Sequence, residues 1–258
     1  MKVMSFKGNL LTVSDARRSY GGVKAVDGVS FQVRAGSITG LIGPNGAGKT
    51  TMVNLISGSE RADGGSIQFN GKELTKMPVH RISQMGLIRT FQISRELQKL
   101  TVLENLLLAP QTQFGEKSWA ALISRKRIRA EETEHLQKAI EALRRFSLTH
   151  LKDEYAGNLS GGQKKLLDLA RALMAEPKML LLDEPMAGVN PTLSKSLQEH
   201  IVALNKQGVT FLLIEHNLSV VEAICNHVVV MAEGRVLAEG KMDALRDNEE
   251  VVSAYLGG

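Results

Sequence analysis

The strongest indication of the fold of this chain is the glycine-rich stretch Gly43-Pro44-Asn45-Gly46-Ala47-Gly48-Lys49-Thr50. It has the form G-x-x-x-x-G-K-[ST], follows an apolar run over residues 38–42 and leads into a helical pattern over residues 51–56. A strand, a glycine-rich loop and a helix in this order let backbone N–H groups and the positive end of a helix surround a polyphosphate. The stretch predicts a nucleoside triphosphate site; a glycine-rich turn that binds nothing is the alternative that this context disfavours.

Each polar residue of this stretch has an expected task. The Lys49 ammonium can reach the β- and γ-phosphates, and the Thr50 hydroxyl is placed to ligate Mg²⁺. The expected ligands are therefore ATP and Mg²⁺. The residues predicted to bind the nucleotide here are Gly43, Pro44, Asn45, Gly46, Ala47, Gly48, Lys49, Thr50 and Thr51.

Composition bounds the class of protein. The chain has 258 residues, of which 43% are hydrophobic and 23% charged, as in ordinary globular domains. No apolar run approaches the roughly 18 residues that span a bilayer, and no signal peptide is expected at the N-terminus. The net charge of +5 does not require a nucleic acid or lipid partner. The single cysteine, Cys225, excludes an internal disulfide, fits a reducing compartment and is expected in the core.

The hydrophobic pattern predicts an α/β fold. Residues 8–36 and 64–71 alternate as strands do and should form a small antiparallel sheet beside the nucleotide. Residues 94–158 have a helical pattern, with a helix over Glu131–Phe146. Strands and helices then alternate over residues 179–231, which predicts a parallel sheet with helices on both faces.

A basic segment within the helical region has two interpretations. Residues 125–129 read Arg-Lys-Arg-Ile-Arg and are followed at once by acidic residues. The segment could touch lipid headgroups, or it could be a solvated helix face with alternating charge.

Four further residues are candidates for the hydrolysis of ATP. The buried strand pattern 179–182 ends at Asp183, which can hold Mg²⁺ directly or through water, and Glu184 follows as the candidate general base. His216 also follows an apolar strand and could contact the γ-phosphate and the attacking water. Gln92 lies where the first part of the chain meets the helical region and could ligate Mg²⁺. The alternatives are a surface acid for Glu184, a structural histidine for His216 and a surface amide for Gln92.

The stretch Leu159-Ser160-Gly161-Gly162-Gln163-Lys164-Lys165 carries a second phosphate signal. A serine and two glycines precede an apolar helix over residues 166–174, which makes another helix N-terminus suited to an anion. A chain needs only one such phosphate-binding helix start, or cradle, for each triphosphate that it binds. The second cradle therefore suggests a phosphate contact made across an interface.

The phosphate loop, L-S-G-G-Q at 159–163, L-L-L-D-E-P at 180–185 and E-H at 215–216 occur here in the order found in ABC (ATP-binding-cassette) transporters. Over nearly its whole length the chain resembles their nucleotide-binding subunit. The resemblance implies a P-loop NTPase core with an antiparallel part and an inserted helical part. It implies that Tyr20 stacks on adenine, that Gln92 is the Q-loop glutamine, Glu184 the catalytic glutamate and His216 the switch histidine. The signature residues that would contact the ATP of a partner cassette are Ser160, Gly161, Gly162 and Gln163.

Finer features resemble the ATPases of branched-chain amino acid importers. The sequence A-G-V-N-P at 187–191 is similar to the A-G-L-N-P of that branch, in which Asn190 stands where most ABC ATPases have Asp. The insertion around residues 114–129 and the ending at 252–257 also resemble it. Gly161 departs from the aromatic residue that many members have at this position. The substrate therefore stays open, because related ATPases serve urea or amide importers and lipopolysaccharide export.

The resemblance also implies an organisation and partners. Residues 1–258 would be one ABC ATPase domain, with its α/β core at 8–92 and 163–241, a helical subdomain at 93–162 and a tail helix at 242–258. A second cassette, identical or paralogous, would pair with it head to tail. Two integral membrane permease subunits would dock near residues 91–103, with a solute-binding protein acting indirectly and no nucleic acid. The expected location is peripheral, on the cytoplasmic face of a bacterial or archaeal inner membrane.

Two other classes of function compete with transport. A soluble ABC ATPase acting on ribosomes or DNA usually has two cassettes or a long coiled-coil insertion, and this sequence has neither. A regulatory module that binds ATP without hydrolysis would be expected to have lost Glu184 or His216, and both are present.

Overall fold

The structure is a computed structural model that describes residues 8–90, 95–109 and 125–256. The chain forms two compact units. The first comprises the residues up to Arg89, Lys178–Ala187 and the residues from Ser194 onwards, and the second comprises Thr90–Pro177 and Gly188–Leu193. The functional boundaries predicted above, including the helical subdomain at 93–162, stay a prediction.

The first unit contains two sheets. The larger has the strand order β10-β9-β3-β8-β7-β6, in which β10 is antiparallel to β9 and the other neighbours are parallel. The smaller is antiparallel, with the order β2-β1-β4-β5. The strands are β1 (Asn9–Tyr20), β2 (Val23–Arg34), β3 (Ile38–Ile42), β4 (Gly64–Phe69), β5 (Lys72–Glu73), β6 (Leu87–Arg89), β7 (Met179–Asp183), β8 (Thr210–Ile214), β9 (His227–Ala232) and β10 (Arg235–Gly240).

Helices follow most of the parallel strands. β3 and β8 are buried along their whole length, as expected of central strands that are covered on both faces. In the described part of the chain the helices are α1 (Lys49–Ser57), α2 (Val79–Gln84), α3 (Val102–Leu107), α4 (Arg125–Arg145), α5 (Gly161–Met174), α6 (Pro191–Lys206), α7 (Leu218–Ile224), α8 (Met242–Arg246) and α9 (Glu249–Leu256).

Helices α3, α4 and α5 belong to the second unit and contact one another. A capping box fixes the start of α3, because Thr101 accepts from the Glu104 N–H and the Glu104 carboxylate accepts from the Thr101 N–H. A buried amide supports the same turn: Asn105 Nδ2 donates to the carbonyls of Leu97 and Thr101. These contacts join residues close in the chain, so a helix in this region can be predicted from the local sequence.

The α/β class and both sheets are confirmed, and several element boundaries differ from the prediction. The helix predicted from Glu131 begins at Arg125, so the basic segment is helical. Cys225 packs against a core cluster, as expected, and burial raises the pKa of its thiol to about 12. The short elements α2, β6 and β10 were not predicted. The three-residue strand β6 is too short to show a period in the sequence and is fixed by its pairing with β7.

Candidate functional site

The phosphate loop lies between two other backbone segments, and its glycines make this approach possible. A Cβ atom at Gly43 would lie 2.0 Å from the Met231 carbonyl oxygen, and one at Gly48 would lie 2.1 Å from the Ala25 carbonyl oxygen. Gly48 has a φ of 95° and immediately precedes α1. A side chain at either position would collide with main chain that belongs to β9 or β2. The glycines therefore hold the loop at the end of β3 with its N–H groups at the start of a helix.

Lys49 is held inside this loop. Its side chain is buried, and Nζ donates hydrogen bonds to the carbonyls of Gly43 and Pro44, each at 2.8 Å. Burial lowers the pKa of the ammonium, while the charges of Glu184 and Asp183 raise it. The neighbouring Thr50 is exposed. A cation at this point is placed to exchange loop carbonyls for phosphate oxygens.

Asp183, at the end of β7, is tied to two other elements through Arg89. Arg89 Nη2 lies 2.8 Å from Asp183 Oδ2, and Arg89 Nη1 donates to Asn54 Oδ1 at 2.6 Å. Asn54 belongs to α1, so one guanidinium connects β6, β7 and the helix of the phosphate loop. No local pattern indicates this role of Arg89, because its partners are 35 and 94 residues away.

Glu184 and His216 are brought together at neighbouring strand ends. Oε1 of Glu184 lies 2.6 Å from Nε2 of His216. Glu184 has a φ of 48°, in the left-handed region that is uncommon for residues other than glycine. Its N–H donates to the Ile214 carbonyl at 3.0 Å, which holds the turn in this conformation. Both side chains are partly exposed, so a water molecule and a phosphate can reach them.

Tyr20 ends β1 with a supported ring. The Tyr20 hydroxyl donates to the Glu60 carboxylate, and the Arg18 guanidinium lies 4.9 Å from the centre of the ring. Arg18 is itself held by Asp63 at 2.9 Å. The ring is 45% exposed, so an aromatic base can approach it. Arg18 and Glu60 were missed in the sequence because a stacking partner and an anchor have no motif.

The signature serine is an N-cap in the second unit. The Ser160 side chain accepts from the Gln163 N–H at 3.3 Å, and the Gln163 side-chain oxygen accepts from the Ser160 N–H at 2.9 Å. A Cβ at Gly162 would lie 1.6 Å from Leu193 Cδ2, whereas Gly161 has no atom within 4 Å of such a position. The pattern predicted the helix start, and the structure adds that the Gln163 side chain closes a capping box.

This geometry leaves two predicted features of the site undecided, the role of Gln92 and the binding of Mg²⁺. Gln92 lies outside the described residues. Among the residues that the structure describes, no group of three or more His, Cys, Asp or Glu side chains could hold a metal ion.

None of the helices in the described part of the chain has both the length and the apolar character of a membrane-spanning helix.

Residues 26–187 match the ABC transporter family. The chain belongs to this family as an ATP-binding, ATP-hydrolysing subunit. A crystal structure of a nucleotide-free ATP-binding cassette from an ABC transporter superimposes with a TM-score of 0.84 at 37% identity, covering 97% of this chain and 100% of that one.

Sequence relatives place the chain in one branch of the family. Residues 235–258 match a family described as branched-chain amino acid ATP-binding cassette transporter. The probable branched-chain amino acid transport ATP-binding protein LivG of Archaeoglobus fulgidus is 48% identical, covering 96% of this chain and 95% of that protein. The high-affinity branched-chain amino acid transport ATP-binding protein LivG of Escherichia coli K12 is 38% identical, covering 96% and 98%.

Proposed function

We propose that the chain hydrolyses MgATP to drive the import of branched-chain amino acids through a membrane transporter. The observation that carries the chemistry is the 2.6 Å contact between Glu184 and His216 at the ends of β7 and β8. The substrate class is supported by the names of the relatives and by the match of the C-terminal residues.

The side chains divide the reaction between them. Glu184 accepts a proton from the attacking water, and His216 orients the water and the γ-phosphate. Lys49 neutralises charge on the β- and γ-phosphates. Tyr20 stacks on the adenine, and Gln92 would ligate Mg²⁺.

Oxygen donors at two positions fit Mg²⁺. Thr50 and Asp183 would hold the ion, which in proteins of this chemistry is usually bound by one or two carboxylates together with phosphates and water. Arg89 contacts one carboxylate oxygen of Asp183, and a carboxylate has a second oxygen for a metal ion. Bound Mg²⁺ would neutralise developing charge on the phosphates.

The proposed assembly is a transporter at the cytoplasmic face of the cell membrane. Two cassettes, identical or paralogous, would pair head to tail, with Ser160, Gly161, Gly162 and Gln163 of one facing the ATP of the other. The Ser160 cap supports this arrangement, because it orders N–H groups at an exposed helix start. Closure of the two cassettes around ATP would be transmitted to two permease subunits, and a solute-binding protein would deliver the substrate.

The first experiment tests Glu184 as the base. In the Glu184→Gln variant we expect ATP turnover to fall at least ~100-fold, as loss of a general base does, while ATP binding stays within about two-fold. The variant should also accumulate an ATP-bound dimer in size-exclusion chromatography. Comparable turnover in this variant would refute the role of Glu184.

Glu233→Gln is the matched control for this substitution. Glu233 is an exposed glutamate with the same φ of 48°, in the turn between β9 and β10. We expect it to keep wild-type turnover, since its side chain is exposed and it is not among the proposed catalytic or nucleotide-binding residues.

The second experiment tests the partners. The tagged protein is purified from gently solubilised native membranes, and its partners are identified by mass spectrometry. Two polytopic permeases, a second cassette and a solute-binding protein that binds leucine, isoleucine or valine are the expected result. Ribosomal or DNA-repair proteins in their place would overturn the transport proposal.

A further inference from the structure

A buried carboxylate lies beside the two proposed catalytic side chains. Glu215 stands between Ile214, the last residue of β8, and His216, and only 4% of its surface is exposed. Its Oε1 accepts a hydrogen bond from the Met186 N–H at 2.9 Å. The backbone N–H groups of His216 and Asn217 also face this carboxylate.

The position of Glu215 extends the β7–β8 ladder beyond the strands. The two strands are paired up to Asp183 and Ile214, and the Glu184 N–H still bonds to the Ile214 carbonyl. Beyond this point both chains leave the strands: one enters a turn at residues 185–188 (the Met186 turn), and the other bends at His216 (the His216 turn). The Glu215 side chain then makes the next connection, because it reaches the backbone of the Met186 turn from the His216 turn.

Burying a carboxylate to make this connection costs free energy. Burial raises the pKa of Glu215, as does the charge of Glu184, and the facing N–H groups lower it. A neutral side chain would avoid the cost of burying a charge. The carboxylate has two acceptor oxygens, however, and can serve N–H donors from both turns at once.

We propose that Glu215 is a positioning residue for ATP hydrolysis, whose carboxylate holds the turn of Glu184 against the turn of His216. It acts on the hydrolytic step because it fixes the contact between these side chains, and its hydrogen bonds go to the backbone of Met186, His216 and Asn217. This inference rests on the proposed function of Glu184 and His216.

The test replaces Glu215 by Gln in the full chain. Glutamine has the same shape but only one acceptor oxygen, and its NH₂ group would meet backbone N–H donors. We expect kcat to fall at least ~10-fold, since small displacements of catalytic groups cost rate steeply. The KM for ATP and the Kd of a fluorescent ATP analogue should stay within two-fold. Glu215→Asp, which keeps the charge, should retain more turnover than Glu215→Gln and serves as the test variant if Glu215→Gln does not fold.

Glu73→Gln is the matched control. Glu73 also accepts from two backbone N–H groups, those of Ile67 and Thr75, each at 3.1 Å, but it lies in the antiparallel sheet. Both variants should lose some stability in chemical denaturation, and only the Glu215 variant should lose kcat. Equal kcat values for Glu73→Gln and Glu215→Gln, or a KM that rises as much as kcat falls, would overturn the proposal.

A double-mutant cycle separates positioning from general loosening of the fold. In a His216→Ala background, Glu215→Gln should have little further effect on kcat, because the contact that it positions is already lost. Full additivity of the two losses would contradict the proposal. Glu184→Gln keeps the two hypotheses distinct: wild-type turnover in that variant would refute the proposed function, whatever the Glu215 variants do.

Discussion

At the scale of single residues, the site is built from side chains whose surroundings fix their orientation. Glu184 is held in a left-handed conformation by the Ile214 carbonyl, and Lys49 is held by two carbonyls of its own loop. The Tyr20 hydroxyl donates a hydrogen bond to Glu60, and the Arg18 guanidinium lies over the Tyr20 ring. Such supports restrict each functional group before a ligand arrives, which reduces the ordering cost of binding.

The Tyr20 ring gives a prediction about ATP affinity. Tyr20→Ala should weaken ATP binding by about 1–3 kcal/mol, the usual worth of base stacking, whereas Tyr20→Phe should change it by less than about 0.5 kcal/mol. The measurement is a titration with a fluorescent ATP analogue and competition by ATP. Tyr155→Ala, which removes an exposed tyrosine of the second unit, is the control and should leave the affinity unchanged. Equal affinities for wild type and Tyr20→Ala would refute the stacking role.

At the scale of elements, the start of α5 has a structural and a proposed functional task. The Ser160–Gln163 capping box satisfies the N–H groups of Ser160 and Gln163, and the proposed phosphate donors are the N–H groups of Gly161 and Gly162 between them. These two roles respond differently to a negatively charged side chain. A cap tolerates an anion, but a site that faces the phosphates of a partner's ATP does not.

Two substitutions of Ser160 should separate these tasks. Ser160→Ala should lower the free energy of unfolding by about 1 kcal/mol through loss of the cap, whereas Ser160→Asp should keep the cap and the stability. In the Glu184→Gln background, Ser160→Asp should nevertheless abolish the ATP-bound dimer, because a carboxylate would face phosphate. Urea denaturation measures the stability of each variant, and size-exclusion chromatography measures dimer formation. A stable Ser160→Asp variant that dimerises normally would contradict the phosphate contact.

At the scale of the whole molecule, the C-terminal tail reaches the core of the first unit. Met242 and Leu245 of α8 and Val251 of α9 join a buried cluster with Ile42, the last residue of β3. The buried hydroxyl of Tyr255 faces the backbone of Gly43, and burial raises its pKa to about 12. The residues that match the branched-chain family therefore pack against the strand and glycine that begin the phosphate loop.

Global stability should depend on pH through Asp168 in α5. Burial raises the pKa of this carboxyl from 3.8 to about 7, and the nearby Arg171 opposes the shift. Because the folded-state pKa lies above the unfolded value, its contribution is full below about pH 4 and is lost as the pH rises through about 7. The stability of Asp168→Asn relative to wild type should therefore increase from pH 5 to pH 7, by up to about 1.4 kcal/mol per pH unit. Denaturant unfolding at several pH values checks this, and a constant difference would contradict it.

Local patterns in the sequence predicted much of the fold and the site. The phosphate loop, the strand that ends at Asp183 and the N-cap at Ser160 each depend on residues close in the chain, so their spacing carries the signal. Strand β8 (Thr210–Ile214) lies within residues 179–231, where alternating strands and helices were predicted. The short elements β6 and α2 were missed, because their place depends on neighbours distant in sequence rather than on a local period.

Short motifs were enough to predict the family, the phosphate loop, the signature helix start and the side chains available for chemistry, because each motif consists of residues close in the chain. Which of these side chains contact one another depends on the folded structure. Glu184 contacts His216 across 32 residues, Arg89 contacts Asp183 across 94, and Glu215 contacts the Met186 turn across 29. The physical reason is that parallel pairing brings the carboxyl ends of distant strands to one edge of the sheet, where burial and hydrogen bonding select contacts that no local pattern encodes.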